Sequence, residues 1–289
     1  MNKTNIKHIT KKYLIELYSI KEQNSILQNL MGKFIDDKDS VFNKEYSEKI
    51  TKSLENYLKE KNKTEEDLTD EDLSNIKIVG DIDLSSGGFN SEQKKIIKLL
   101  IDEMTEMGIT NPYTQIGMLS VISKESNFIP KSEIDYCTTS NTRIRKIFGS
   151  RVPSSDSELN SLKCDPRKFF NQVYSKTVGN QGGDDGWMYR GRGLNQLTGI
   201  KNYEKYGRMI GLGDRLVEDP ELVNDPEIAI KIALAFFTKG KSASSIPEFD
   251  NKEDAAIYFA DINAGGGASS HRNHAIAASK KFDVEFDIT

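Results

Sequence analysis

The sequence predicts a mostly α-helical fold, preceded by a separate helical extension. Apolar residues recur three and four positions apart along most of the chain, which is the spacing of one buried helix face. Capping residues and prolines stand where such segments begin, and glycines stand where they end. Strand signals are nearly absent, because no alternating run of β-branched residues is long enough to form a sheet.

The first 80 residues differ in composition from the rest of the chain. They contain no proline and no arginine, and Lys, Glu, Asp and Asn dominate them. Apolar residues at helical spacing predict amphipathic helices from Ile9 to Phe34 and from Phe42 to Leu58. This extension (1–80) is expected either to pack on the rest of the protein or to dock a partner. Residues 81–89, with Ser85-Ser86-Gly87-Gly88, predict a linker, so the main domain is expected to span 90–289.

The main domain is expected to begin with a helix capped by Asn90, whose partner in a capping box is Gln93. A second helix follows Pro112 and ends ahead of Pro130, because a proline disfavours helical backbone before it. The segment from Ile228 to Phe237 is almost wholly apolar and predicts a buried central helix. Asp225 is expected to cap this apolar helix. The other helices are expected to begin at Thr139, after Asp165, at Thr198, at Glu253 and at Arg272 or His274.

Charge and hydropathy exclude several classes of partner. The net charge is -4, so bulk attraction to nucleic acid or to an anionic membrane is not expected. No apolar run approaches the length of a membrane span. The N-terminal segment lacks a continuous apolar region and a small-residue cleavage site, and no secretory signal is therefore predicted.

The potential metal ligands are few and widely separated. Cys137 and Cys164 form no CxxC motif and are predicted to be ordinary thiols in a reducing compartment. His271 and His274 share a helix face but have no third ligand near them in sequence, so no metal site is predicted. Nothing in the sequence indicates a cofactor.

A glycine-rich stretch contains the chain's single tryptophan and alternates glycine with arginine. It runs from residue 186 to residue 199 and reads GWMYRGRGLNQLTG. Trp187 and Tyr189 offer flat faces for a sugar or a nucleobase, although both could equally lie in the core. Gln196 and Thr198 stand two residues apart, so an extended segment would present both side chains to one ligand.

The longer segment GWMYRGRGLNQLTGIKNYEKYG resembles the signature of family-nineteen glycoside hydrolases, which reads close to GxxYRGRGxIQLTGxxNY. This family comprises chitinases and the related phage endolysins that cut peptidoglycan. The resemblance covers about residues 90–285 and implies a two-lobed, lysozyme-like helical domain with a cleft between its lobes. It implies that Gln196 and Thr198 position sugar or water, with Thr198 in the catalytic set. Further sugar contacts are implied for Asn202, Asn263, Tyr189, Arg192 and Trp187.

Glu125 is the candidate general acid. A carboxylic acid at the end of an apolar helix is a place where desolvation can favour the protonated form. The segment ESNFIP resembles the catalytic segment of the same endolysins, although Lys124 stands where the family often has His. Glu133 follows eight residues on, where the endolysins place a second glutamate, and it is the candidate base. Asp135 is a lesser candidate for that role.

The resemblance implies a hydrolase that cuts the β-1,4 bonds of peptidoglycan by two-carboxylate acid/base catalysis. Such a protein would stay in the cytoplasm of the bacterial host until release to the wall, or travel in a phage particle. The extension would then direct it to a protein partner or virion component. Three alternatives remain: a lytic transglycosylase, since ESNFIPKS resembles ESxFxPxAxS, a chitinase, or an inactive wall-binding virion protein.

Overall fold

The structure is a computed structural model that describes residues 56, 58–61, 78–264 and 269–288, and these residues are mostly helical. The α-helices are α1 (Ser91–Glu106), α2 (Pro112–Ser126), α3 (Asn141–Phe148), α4 (Asp156–Lys163), α5 (Pro166–Tyr174), α6 (Asp185–Met188), α7 (Ile200–Met209), α8 (Arg215–Glu218), α9 (Pro226–Thr238), α10 (Lys252–Ala264) and α11 (Ser269–Ser279). Short 3-10 helices span Gly149–Arg151, Pro220–Asn224 and Ala243–Ser245. Two strands complete the fold, β1 (Ile78–Asp83) and β2 (Asp283–Ile288).

The predicted helical extension lies almost wholly outside the described residues, and its role stays a prediction. Within residues 56 and 58–61, Leu58 is buried. Across the ranges that the structure describes, no helix is both long enough and apolar enough to cross a membrane.

The largest core surrounds α2, which is buried along almost its whole length. Helices α10 and α11 pack against α2 and against each other, and α1 and α9 complete this core. A Cβ atom on Gly117 would lie 2.8 Å from the Cβ of Ala255, so this glycine lets α2 and α10 approach closely. The predicted buried central helix is α9, and the prediction is confirmed.

Two smaller apolar clusters lie beyond this core. One joins α3, α4 and α5 through interlocking aromatic rings, among them Phe148, Phe169 and Phe170. The other joins α7, α8 and the outer face of α9. The predicted cap and capping box at Asn90 and the predicted cap at Asp225 are confirmed.

The two ends of the main domain are joined by a strand pair that the sequence analysis did not predict. β1 and β2 are antiparallel, with Ile78 opposite Ile288 and Asp83 opposite Asp283. The segment predicted as a linker therefore begins inside a strand, and it ends at Phe89, which is buried against Phe128 and Phe282. A true linker would lack such contacts, so the folded unit begins at or before Ile78 and not at Asn90.

Two shortened chains test where the folded unit begins. A chain that begins at Ile78 is expected to melt close to the full-length protein. A chain that begins at Asn90 loses β1 and Phe89, and removal of a buried phenylalanine side chain alone costs about 3–5 kcal/mol. Thermal unfolding of both chains measures the difference. Equal melting temperatures for the two would contradict the assignment of β1 and Phe89 to the core.

Cys137 and Cys164 form a disulfide, with Cα atoms 4.4 Å apart and a sequence separation of 27. The prediction of two ordinary thiols was therefore wrong. The chain after Glu133 reaches Cys137, passes through α3 and α4, and returns to the turn before α5, where Cys164 lies. The bond closes this excursion and ties the loop of Glu133 to the cluster around α5.

Replacement of both cysteines, Cys137→Ser with Cys164→Ser, is expected to lower the free energy of unfolding. The expected loss is about 3.5 kcal/mol, because the cross-link restricts the unfolded chain over this loop length. Urea denaturation with and without a thiol reductant measures it, and the double variant should not respond to the reductant. A wild-type midpoint that is the same in both conditions would contradict the prediction.

Candidate active site

Glu125 lies in the last turn of α2. The chain leaves this helix through Asn127 and Phe128, which both have positive φ (52° and 60°), and the fully buried Phe128 fixes the helix end. Oε1 of Glu125 lies 2.6 Å from Nζ of Lys124 and accepts a 3.1 Å hydrogen bond from Nδ2 of Asn263. The sequence predicted apolar surroundings for this carboxyl group. The structure instead places it beside a cation and an amide, with 27% of its side chain exposed.

Glu133 is held on the loop after α2 by both its backbone and its side chain. Its N–H donates to the carbonyl of Gly191 (2.8 Å), and its own carbonyl accepts from Nε of Arg190 (3.0 Å). Its Oε1 accepts from the hydroxyl of Tyr136 at 2.6 Å. The hydroxyl of Tyr174 lies 3.3 Å from Oε1 and 3.2 Å from Oε2. The chain therefore fixes this carboxylate, as a positioned base requires.

The two tyrosines stay protonated beside Glu133. Burial raises the pKa of the Tyr136 hydroxyl, and its hydrogen bond to Glu133 raises it further. Burial also raises the pKa of the Tyr174 hydroxyl, followed by the negative charge of Glu133. Both phenols are therefore donors to the carboxylate and leave it free to accept a proton from a third group.

Asp135, the lesser candidate for the base, points elsewhere. It is exposed, and its Oδ1 accepts from the backbone N–H of Cys137 at 2.9 Å, a local turn contact. It therefore has a structural role in the loop, and Glu133 is the better-placed carboxylate.

The glycine-rich stretch forms a tight hairpin next to Glu133. Arg192 and Leu197 exchange backbone hydrogen bonds of 3.2 and 2.8 Å, and Gly193 and Gln196 both have positive φ (75° and 54°) in the turn between them. A Cβ on Gly193 would lie 2.8 Å from the carbonyl oxygen of Val223. A side chain at this position would therefore meet fixed backbone.

The hairpin and α7 orient Gln196 and Thr198. Nε2 of Gln196 donates to the carbonyl of Lys131 (3.1 Å), and the Thr198 hydroxyl donates to the carbonyl of Gln196 (2.9 Å). Nδ2 of Asn202 donates to the carbonyl of Thr198 (2.8 Å), so Asn202 supports the loop. The prediction that Thr198 caps α7 was wrong: the cap residue is Gly199, with no side-chain cap bond.

Three polar side chains converge on Gly191. A Cβ placed on this glycine would lie 2.8 Å from Oε1 of Gln196, 3.2 Å from Oε2 of Glu133 and 3.5 Å from Oγ1 of Thr198. We call these four residues the Gly191 cradle. Three oxygen atoms around one point make a place where a water molecule or a sugar hydroxyl can donate hydrogen bonds.

Comparison with known proteins gives a family for part of this chain. The sequence profile of the family described as "Chitinase class I", glycoside hydrolase family 19, matches residues 152–277. This range contains Gln196, Thr198 and Asn263, whereas Glu125 and Glu133 precede it.

Residues 152–277 of this chain match a glycoside hydrolase family 19 domain.

A "Glycosyl hydrolase family 19 domain-containing protein" of Haemophilus influenzae is 26% identical over 149 residues, which cover 50% of this chain and 70% of that protein. The "Acidic 26 kDa endochitinase" of Solanum lycopersicum is 38% identical over 82 residues, or 24% of this chain and 32% of the endochitinase. The "Acidic endochitinase pcht28" of Solanum chilense gives the same values. The chain thus spans about a third of the length of the two plant proteins.

Two residues predicted to contact substrate lie inside the family 19 domain. Tyr189 is buried against Tyr203, and its hydroxyl donates to the carbonyl of Val217 (3.3 Å). The Arg192 side chain is 3% exposed, 2.6 Å from Glu221, and it donates to the hydroxyl of Tyr203 (3.0 Å). Neither side chain reaches the Gly191 cradle, because both face inward to hold the hairpin on the cluster around α7.

Glu221 binds both arginines of the hairpin. Its hydrogen bond to Arg192 and the nearby charges of Arg192 and Arg190 hold the pKa of its carboxyl below the ordinary value, against the opposing effect of burial. The stabilising contribution of this group is therefore present above the ordinary carboxyl pKa and is lost as the pH falls through the depressed value. Since 60% of the Glu221 side chain is exposed, solvent screens the pair.

Trp187 is half-buried at the edge of the α5 cluster. Its ring lies beside Phe170, and the guanidinium of Arg190 covers it at 3.7 Å from the ring centroid. Because the same Arg190 donates to the carbonyl of Glu133, Trp187 supports the loop of Glu133 through this stacking.

Several residues of this site were not predicted from the sequence. Tyr136, three residues after Glu133, could have been noticed as a neighbour on the same loop. Tyr174 is 41 residues away from Glu133 in sequence, and no local pattern signals its approach. Arg190 was noted only as part of the motif, without its contact to the loop of the base.

The histidine pair does not alter the prediction of no metal site. His271 is half-buried and His274 is exposed. Within residues 56, 58–61, 78–264 and 269–288, no group of three or more His, Cys, Asp or Glu could hold a metal ion.

Gly191→Ala tests the cradle. The new methyl group is expected to displace Gln196 and Glu133, and a displacement of about 1 Å near the reacting atoms costs about 10²-fold in rate. The control is Gly211→Ala, at an open position with positive φ, which should lose stability and keep its rate. Steady-state kinetics and melting temperatures of both variants separate the two effects. A wild-type rate for the Gly191→Ala protein would show that the cradle is not part of the active site.

Proposed function

We propose that the protein hydrolyses the β-1,4 glycosidic bonds of peptidoglycan strands. The observation that carries the proposal is the presence of two supported carboxylates, Glu125 at the end of α2 and Glu133 in the Gly191 cradle, ahead of a segment that matches glycoside hydrolase family 19. Glycoside hydrolysis requires two such groups flanking the bond that is cut.

The chemistry assigns one step to each carboxyl group. Glu125, in its protonated form, donates its proton to the leaving glycosidic oxygen, which takes the electron pair of the broken C–O bond. A water molecule in the cradle attacks the anomeric carbon, and Oε2 of Glu133 accepts its proton. Gln196 and Thr198 orient this water, and the products are two shorter sugars, one with a new reducing end.

We favour peptidoglycan over chitin as the substrate because of the motifs around the two carboxylates. ESNFIP, the second glutamate and the segment DPRKFFNQVY resemble the endolysins of the family. Chitinase is the second candidate, because two of the relatives are named endochitinases. A lytic transglycosylase uses one glutamate, and the three-fold support of Glu133 by Tyr136, Tyr174 and the backbone of Gly191 favours a hydrolase.

The proposal extends to the origin and delivery of the protein. A phage-encoded wall hydrolase would act from the host cytoplasm after release, or from a phage particle to which residues 1–80 bind. An inactive, wall-binding virion protein is the corresponding non-enzymatic alternative, and the support that surrounds Glu133 argues against it.

A substrate panel tests the preference. Purified peptidoglycan and chitin of matched particle size are incubated with the full-length protein, and new reducing ends are measured. We expect a higher kcat/KM on peptidoglycan. A preference for chitin would make the protein a chitinase, and the absence of reducing ends from both would favour a binding protein.

A further inference from the structure

Both donors to Glu125 contact the same carboxylate oxygen. Nζ of Lys124 lies 2.6 Å from Oε1, and Nδ2 of Asn263 lies 3.1 Å from it. Among the residues that the structure describes, no group donates to Oε2. The two oxygens of Glu125 are therefore not equivalent: one is held by a cation and an amide, and the other is open.

This asymmetry decides where a proton can reside. An ammonium group has three donor hydrogens and no acceptor, so an oxygen that faces it at 2.6 Å cannot itself carry a proton toward it. A proton on Glu125 must therefore occupy Oε2. That oxygen is also the one free to approach the leaving oxygen of a substrate.

We propose that Lys124 is a positioning residue for the general acid. With Asn263 it fixes Oε1 and so directs the proton-bearing Oε2 at the glycosidic oxygen. Oε2–H gives its proton to that oxygen, the C–O bond breaks with its electron pair on the leaving oxygen, and the negative charge left on Glu125 is stabilised by the Lys124 ammonium. This inference rests on the proposed glycosidase function.

Lys124 could also have a purely structural role at the end of α2. A lysine in the last turn of a helix is favourable against the helix dipole, and Lys124 occupies that position in α2. A purely structural lysine would affect stability or all substrates alike. A lysine that positions the acid affects only reactions in which the leaving group needs a proton, because a weakly basic leaving group departs without acid assistance.

The experiment compares two leaving groups. Its substrates are a soluble peptidoglycan glycan fragment and the same fragment with 4-nitrophenol as the leaving group. The variants are Lys124→Met, which removes the charge, and Lys124→Arg, which keeps it. Lys168→Met is the matched control, because Lys168 also pairs with a nearby carboxylate, Asp165 at 3.0 Å, on the exposed surface of α5. Melting temperatures are recorded for all proteins.

For Lys124→Met we expect kcat on the unmodified fragment to fall about tenfold or more, a part of the usual contribution of a general acid. Its KM should not change, and its kcat on the nitrophenyl fragment should fall much less. Lys124→Arg should recover most of the loss, and Lys168→Met should match the wild type. If Lys124→Met has a lower melting temperature than the wild type, Lys124→Gln supplies the same comparison, because glutamine keeps a polar side chain without the charge.

Equal losses on the two fragments, or no loss on either, would overturn the role of Lys124 while the proposed function stands. A wild-type protein that cleaves neither fragment would instead overturn the proposed function, and this inference with it.

Discussion

Glu125→Gln is expected to fold normally and to lose about 10²–10⁴-fold in kcat, the usual contribution of a general acid. The amide has nearly the same shape as the carboxyl group but cannot give a proton to the leaving oxygen. The side chain is 27% exposed, so the substitution leaves no deeply buried group without a partner. Reducing-end release from peptidoglycan measures the rate.

The matched control for this substitution is Glu106→Gln. Glu106 lies in the last turn of α1 and is exposed, so it repeats the chemical change at another helix end, away from the site. It should keep the wild-type rate. Wild-type lysis by a folded Glu125→Gln protein would remove Glu125 from the role of the acid.

Glu133→Gln is expected to lose about 10²–10⁴-fold as well, since the amide cannot take the proton of the attacking water. The Tyr136 and Tyr174 hydroxyls both lie within hydrogen-bond distance of Oε1 of Glu133, and the amide oxygen of glutamine can accept both bonds in the same place. The variant should therefore keep most of its stability while it loses rate. Melting temperatures and steady-state kinetics of the same protein check both expectations.

Asp135→Asn is the control for Glu133→Gln on the same loop. The Asn Oδ1 atom can still accept from the N–H of Cys137, as Asp135 does now, so both the turn and the rate should be kept. If Asp135→Asn were the slower of the two variants, the base would be Asp135, and the interpretation of the loop would be wrong.

Local signals predicted most of the helical architecture. Asn90 and Asp225 cap helices because their side chains accept from free N–H groups at the first turn. Each of these signals lies within four consecutive residues, so it can be recognised in the sequence. The same locality predicted the wrong cap at Thr198. There the Thr198 hydroxyl donates to the carbonyl of Gln196, and the N–H of Ile200 bonds to Asn180 from a distant loop.

Contacts between distant segments could not be predicted from the sequence, because no local pattern indicates them. β1 and β2 are short strands with several acidic residues, and only the meeting of the two ends of the domain makes them a pair. Cys137 and Cys164 meet for the same kind of reason, because α3 and α4 return the chain to its starting point.

The motif resemblance pointed to a segment whose side chains divide between two environments. Gln196 and Thr198 lie with Glu133 in the cradle, and their implied role toward sugar or water stays a prediction. Tyr189 and Arg192 belong to the same motif, yet they alternate to the inner side of the hairpin and fill the core. The sequence of the motif does not distinguish the two kinds of residue, and only the fold separates them.

Mass spectrometry of the products released from purified peptidoglycan in ¹⁸O-labelled water tests the central claim most directly. The account predicts soluble glycan fragments whose new reducing ends each carry one oxygen from the solvent, because a water molecule activated by Glu133 attacks the anomeric carbon. Fragments that end in an anhydro sugar without solvent oxygen would contradict hydrolysis and indicate a transglycosylase. Binding to the wall without any released fragment would contradict catalysis altogether.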